Sequence, residues 1–207
     1  MKRFYLLIFF SALILNFLQA QVKNIGTPYI QNFTKEDYKS ENQNFDIVQD
    51  KRGVIYVANL GGVLEYDGNR WTKIAIPNKG AFALAIDSSG RIYTGGKGEF
   101  GYLRANNLGE MQYVSLLNLL TKKEDKEEIG KLQGILITEE GICFRTEDAL
   151  YFLKDNKITI VKNKNKTLLK AFYVNKTLYV HVKKEGLSKY INGKLEKIKL
   201  LKLQDHM

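Results

Sequence analysis

From residue 45 onward the chain is written in short apolar runs separated by turn residues. FDIVQD (45–50), GVIYVANL (53–60), GVLEYDG (62–68) and NRWTKIAI (69–76) are followed by AFALAID (81–87), GRIYTGG (90–96), FGYLRA (100–105) and MQYVSLLNL (111–119). A third set reads LQGILIT (132–138), GICFRT (141–146), ALYFLKD (149–155) and NKITIVKN (156–163). A fourth reads LLKAFYV (168–174), KTLYVHVK (176–183), GLSKYING (186–193) and GKLEKIKL (193–200). Runs of this length, rich in β-branched and aromatic residues, are strands. The breaks between them carry turn chemistry: Asp50-Lys51-Arg52-Gly53, Asp67-Gly68-Asn69, Asp87-Ser88-Ser89-Gly90, Asp155-Asn156 and Asn192-Gly193.

One four-part sentence is therefore spoken four times. Its second run aligns Tyr56, Tyr93, Phe144 and Tyr179, spaced 37, 51 and 35 residues apart. The long interval is explained by LLNLLTKKEDKEEIGKL (116–132), which breaks the strand pattern and reads as a charged surface helix or loop. Four strands per repeat at this period describe β-propeller blades. The expected fold is all-β, with about four blades of four antiparallel strands. The boundaries are 45–80 for blade one, 81–120 for blade two, 121–131 for a charged insertion, 132–166 for blade three and 167–203 for blade four, after an N-terminal extension over 21–44.

Residues 1–20 stand apart. Lys2 and Arg3 precede an almost wholly apolar run, Phe4–Leu15, and Leu18-Gln19-Ala20 offers a small residue at a cleavage point. That order is a secretory signal peptide, which places the mature chain in the periplasm or outside the cell, with no membrane attachment after cleavage. A retained anchor is the alternative, because the run is only slightly short of a span. No Cys lies near the cleavage point to take a lipid.

GGKGEFG (95–101) contains a G-x-G-x-x-G, the pattern of phosphate-binding loops. A dinucleotide site needs a helix after it, and here another strand follows. A kinase loop needs downstream H-R-D and D-F-G, which are absent. The segment reads as a strand–turn–strand joint, and no cofactor is expected.

Charge and composition narrow the functions further. The net charge is +10, and Lys+Arg outnumber Asp+Glu 32 to 22. Residues 154–202 hold fourteen Lys against Asp155, Glu185 and Glu196. Their spacing through strand-like text reads as solvated, edge-protecting lysine rather than a nucleic-acid surface. The single cysteine, Cys143, excludes an internal disulfide and sits in an apolar run where it packs. His181 and His206 have no zinc-ligand spacing around them, and no G-x-S-x-G elbow occurs. Asp50, Asp67, Asp87 and Asp155 could serve a glycosidase, but each falls in a hairpin turn, where it caps. Trp71, Tyr66, Phe100, Tyr102 and Tyr151 could stack on a sugar, though repeat-phased aromatics fill space between blades. No catalytic, metal or cofactor residue is assigned, and the ligand-binding residues are unknown at this stage.

Several of these stretches resemble the extracytoplasmic sensor propellers of two-component regulators. Gly26-Thr27-Pro28, Asp46–Asp50, Gly53–Asn59, Gly62–Gly68 and Trp71 look like that family's first blade, and Ala85-Ile86-Asp87, Gly90–Tyr93 and Glu99–Leu103 like its second. The third and fourth copies follow more loosely, with Cys143 and Lys176 departing from the pattern. The resemblance implies a seven-bladed disc, of which four blades make an open, incomplete arc. It also implies a sandwich domain, a membrane helix and an output module beyond the disc, none of which this sequence carries. The expected function is an exported, non-enzymatic sensor-type fragment that binds a ligand, an oligosaccharide for instance, or a protein partner that completes the disc. An exported propeller enzyme acting on polysaccharide, or a truncated product without independent function, are the alternatives.

Overall fold

The computed structural model of the protein describes Gly26 and residues 30–163 and 167–198. The expected signal peptide over 1–20, Thr27, Pro28 and His206 lie outside the described residues. The chain divides into Met1–Asn32 and Phe33–Met207. Of the first unit, the described residues carry neither helix nor strand.

The described residues of the second unit form sixteen strands in four antiparallel sheets, each built from consecutive strands. Blade one holds β1 (Asn44–Gln49), β2 (Ile55–Asn59), β3 (Gly62–Tyr66) and β4 (Trp71–Ile74). Blade two holds β5 (Ala83–Ile86), β6 (Ile92–Gly96), β7 (Glu99–Ala105) and β8 (Met111–Ser115). Blade three holds β9 (Gly134–Thr138), β10 (Gly141–Arg145), β11 (Ala149–Lys154) and β12 (Lys157–Lys162). Blade four holds β13 (Leu168–Val174), β14 (Thr177–Val182), β15 (Gly186–Ile191) and β16 (Lys194–Lys197). The first strands β1, β5, β9 and β13 stand side by side in that order, and the row of blades does not close on itself. The charged stretch between blades two and three holds a single 3-10 turn, Leu117–Leu119, and a short helix α2 (Lys123–Glu127), numbered after α1 (Lys35–Tyr38).

Period-two alternation decides what each blade presents to its neighbours. Tyr56, Ala58, Val63 and Ile74 of blade one meet Ala81, Leu84, Ile92 and Leu103 at the edge and face of blade two. Ala83, Tyr93 and Phe100 then meet Phe144, Ala149 and Tyr151 of blade three. Cys143, Leu150 and Phe152 meet Leu168, Leu178, Val180 and Val182 of blade four. The expected equivalence of Phe144 with Tyr56 and Tyr93 is corrected here. Tyr56 and Tyr93 face forward to the next blade, as Cys143 does, whereas Phe144 faces back onto Phe100 at 4.7 Å. The cause is the first hairpin of blade three. Its two-residue link between Thr138 and Gly141 replaces the five-residue links that follow Gln49 and Ile86, and so shifts the phase.

The turns behave as their residues dictate. The Asp50 carboxylate accepts from the backbone N–H of Arg52 and Val54, that of Asp67 from Asn69 and Arg70, and that of Asp87 from Ser89 and Arg91. Burial alone would raise the Asp50 carboxyl, but the Arg52 guanidinium and these N–H groups outweigh it and hold the group below the ordinary carboxylate value. A carboxyl lowered on folding adds stability above its unfolded pKa, and that contribution is lost as the pH falls through the folded one. Asp155 and Asn156 take positive φ of 50° and 56° in the two-residue link between β11 and β12.

Cys143 is wholly buried, and burial pushes its thiol up to about 12. In native buffer near pH 8 it should resist a thiol reagent, while the unfolded chain reacts at once. Fast stoichiometric labelling of the native protein would show that the junction between blades three and four is open.

Candidate functional site

In blade one the face turned away from blade two is not bare. Helix α1 is too short to be stable alone. It opens with a capping box between Thr34 and Asp37, and it places Tyr38 on Val57 and Leu64, with Phe33, Ile55 and Trp71 around them. Trp71 stacks on Tyr66 at 4.7 Å and meets Phe33 and Tyr38 edge-on at 5.3 and 5.7 Å. Two of the aromatics that could have stacked on a sugar are thus consumed by the chain's own extension. Phe100 and Tyr151 fill the space between blades two and three, 5.2 Å apart. The Arg91 guanidinium covers the Tyr102 ring at 4.7 Å.

The G-x-G-x-x-G segment is the hairpin between β6 and β7, with Gly96 opposite Glu99 and a two-residue link of Lys97 and Gly98 at its tip. No helix N-terminus follows to hold a phosphate. Mg-ATP at a hundred times any useful dissociation constant would add about 2.7 kcal/mol to a protein that bound it. No shift in melting temperature is expected, and a clear rise would show that this hairpin is a phosphate loop after all.

What the sequence did not flag stands at the N-terminal ends of the innermost strands. Phe45 and Phe82 occupy matching places just ahead of Asp46 and Ala83, and their rings meet at 4.8 Å. Lys131, which forms an isolated bridge with Lys97, reaches over both rings, 3.8 Å from the centre of Phe82 and 5.2 Å from that of Phe45. Two consecutive blades and the end of the insertion that follows them thereby contribute to one mouth. Phe45 remains 42% exposed. The available signal was the shared F-[DA] step that opens the first two repeats, which alternation alone treats as one more apolar position.

At the start of β7 lies a buried carboxylate whose partners are on the outer strand β8. Glu99 accepts from the hydroxyls of Tyr113 at 2.9 Å and Ser115 at 2.8 Å. Burial and the adjacent Glu99 charge raise the Tyr113 phenol far beyond its ordinary value, so it stays a donor. Paired acids at hydrolytic spacing would point to glycoside cleavage; Glu99 is instead partnered by hydroxyls. Among the described residues no three His, Cys, Asp or Glu stand together as a metal set, and no helix is long and apolar enough to cross a membrane.

No family model matches the chain, and no curated protein matches it. Solved structures do. The extracellular domain of a hybrid two-component system from B. thetaiotaomicron matches with a TM-score of 0.65 at 17% identity, over 83% of this chain and 27% of that one. Virginiamycin B lyase from Staphylococcus aureus matches at 0.59 and 14%, over 84% of this chain and 59% of the lyase. The WD40 propeller domain of Doa1 matches at 0.54 and 12%, over 74% and 53%. This chain spans less than two thirds of each. At these identities the shared property is architecture: the chain has a β-propeller fold, one found in extracellular sensor domains and in enzymes alike.

Proposed function

We propose that the chain is a non-enzymatic propeller of the sensor kind, exported from the cytoplasm, which binds a ligand at the mouth formed by its innermost strands. The observation that carries this reading is the Phe45–Phe82 pair under Lys131, in which Phe45 is exposed and Phe82 half-buried. An apolar ring face held rigid beside a cation suits a ligand with an apolar face and polar rim, an oligosaccharide above all. Glu99, the buried carboxylate of blade two, is occupied by two hydroxyls, which supports binding rather than hydrolysis. The likeness to extracellular domains of two-component systems agrees with this, and the lyase among the neighbours keeps catalysis as the opposing outcome.

The test is calorimetry of the purified protein against neutral and acidic oligosaccharides, with product analysis of the same mixtures. A bound sugar should be recovered intact, and Phe45→Ala should weaken its binding about tenfold. Cleaved sugar would make the protein an enzyme, and unchanged affinity in the variant would move the site elsewhere. Export has its own measurement. The N-terminus of the secreted or periplasmic protein should lie near Gln21, and an intact Met1 in the cytoplasm would overturn it.

A further inference from the structure

Two lysines meet at the tip of the β6–β7 hairpin. The Leu132 N–H donates to the Gly96 carbonyl at 2.9 Å, and the Gly98 N–H donates to the Gly130 carbonyl at 3.1 Å. These two bonds bracket the bridge between Lys97 and Lys131 and make them a non-hydrogen-bonded antiparallel pair. Residues opposed in that way leave their strands on the same side, with their side chains closer than in a hydrogen-bonded pair. Leu132, next along the chain, is 1% exposed and turns inward, so Lys131 turns outward. Both lysines are exposed.

Like charges directly opposite one another destabilise a strand pair. Among the described residues neither lysine forms a salt bridge that would offset this. The carboxylates adjacent in sequence to the rings and to the hairpin tip are engaged elsewhere. Asp46 accepts from the backbone N–H groups of Ile47 and Leu84, and Glu99 from the hydroxyls of Tyr113 and Ser115. The Lys131 ammonium lies instead over the aromatic pair, 3.8 Å from the centre of Phe82 and 5.2 Å from that of Phe45. Attraction to the ring faces holds it there. An ammonium carries three N–H donors, and those turned away from the rings stay free for an acceptor. Two cations without a counter-charge therefore stand on one side of the hairpin tip, one of them already fixed beside the exposed Phe45.

We propose that this pair selects the ligand of the mouth: an acidic sugar, whose carboxylate lies between the ammonium groups of Lys97 and Lys131 while its ring packs on Phe45. The proposal rests on the ligand-binding reading of Phe45 and names the class of ligand.

The experiment is an NMR titration of the purified, isotope-labelled protein with sodium glucuronate and sodium galacturonate, against glucose and galactose with sodium chloride added to the same ionic strength. It reads the amides of Phe45, Phe82, Lys97 and Lys131. Saturable shifts are expected with at least one uronate, at an affinity about fivefold or more above that for its neutral parent, the worth of two exposed ion pairs. Lys97→Gln and Lys131→Gln should each lower that preference about threefold. Lys194→Gln, which removes the same charge from an exposed position on blade four, should leave it unchanged. Equal affinity for a uronate and its neutral parent, or a preference that survives in both hairpin variants, would overturn the lysine assignment and leave the sugar on Phe45. Uronate shifts that persist at full affinity in Phe45→Ala would take the ring out of the site, and with it the reading on which this one rests. No saturable shift with any of the four sugars would overturn both.

Discussion

Phe100→Ala should destabilise the protein by about 3–5 kcal/mol. Phe100 is wholly buried, stacked on Phe144 at 4.7 Å and tilted against Tyr151 at 5.2 Å. It is the ring through which blade two grips blade three. Truncation removes the apolar area and leaves a cavity between two sheets whose hairpins hold them at fixed spacing, so little collapse can compensate. Natural domains have only about 5–15 kcal/mol to lose. In guanidinium unfolding followed by fluorescence, the midpoint should fall steeply with the slope unchanged. Phe172→Ala is the control: its ring is 49% exposed, and its loss should cost under about 1 kcal/mol. Equal costs for the two would mean that the blades do not pack through Phe100.

Gly95→Val should be at least as damaging, for the opposite reason. An added Cβ at Gly95 would run into the Glu99 carbonyl and stand 2.8 Å from both Phe100 Cα and Leu132 Cδ2. Two of these obstacles are backbone of the neighbouring strand, which a rotamer change cannot clear. The β6–β7 hairpin or the seat of blade three must move, at a cost of about 3 kcal/mol or more. Gly53→Val meets only the far end of the Gln49 side chain at 3.9 Å, but its φ of +88° strains any side chain. Gly26 is clear of both, with nothing within 4 Å, and makes the neutral control. Wild-type stability in Gly95→Val would refute the close approach of these strands.

The repeat, and with it the propeller, was legible because alternation and turns built on Asp or Asn recur with each blade. What alternation could not reveal was phase. Aligning aromatics put Phe144 in the place of Tyr56, because the eye follows ring to ring while the chain follows hairpin length. The functional mouth was half legible. Phe45 and Phe82 are visible as repeated residues, but only the fold brings Lys131, distant in sequence, over their faces. Tyr66 and Trp71 read as sugar platforms or inter-blade filler and proved to be neither, since a four-residue helix with no strong sequence signal covers them.

That cover makes the two ends of the row unequal. One end carries Tyr38 and Phe33 over its sheet, while at the other Phe172 and Val174 are 49% and 52% exposed on the side of blade four away from Cys143. Tyr38 and Phe33 take up much of the apolar area on which a second copy could land head to tail, although Ile47 on the same face stays 64% exposed. Association through the exposed sheet of blade four is thereby biased to a face-to-face contact, which a two-fold axis closes at two copies. The short N-terminal helix thus works against fibre growth by shrinking the surface on which the next copy would land.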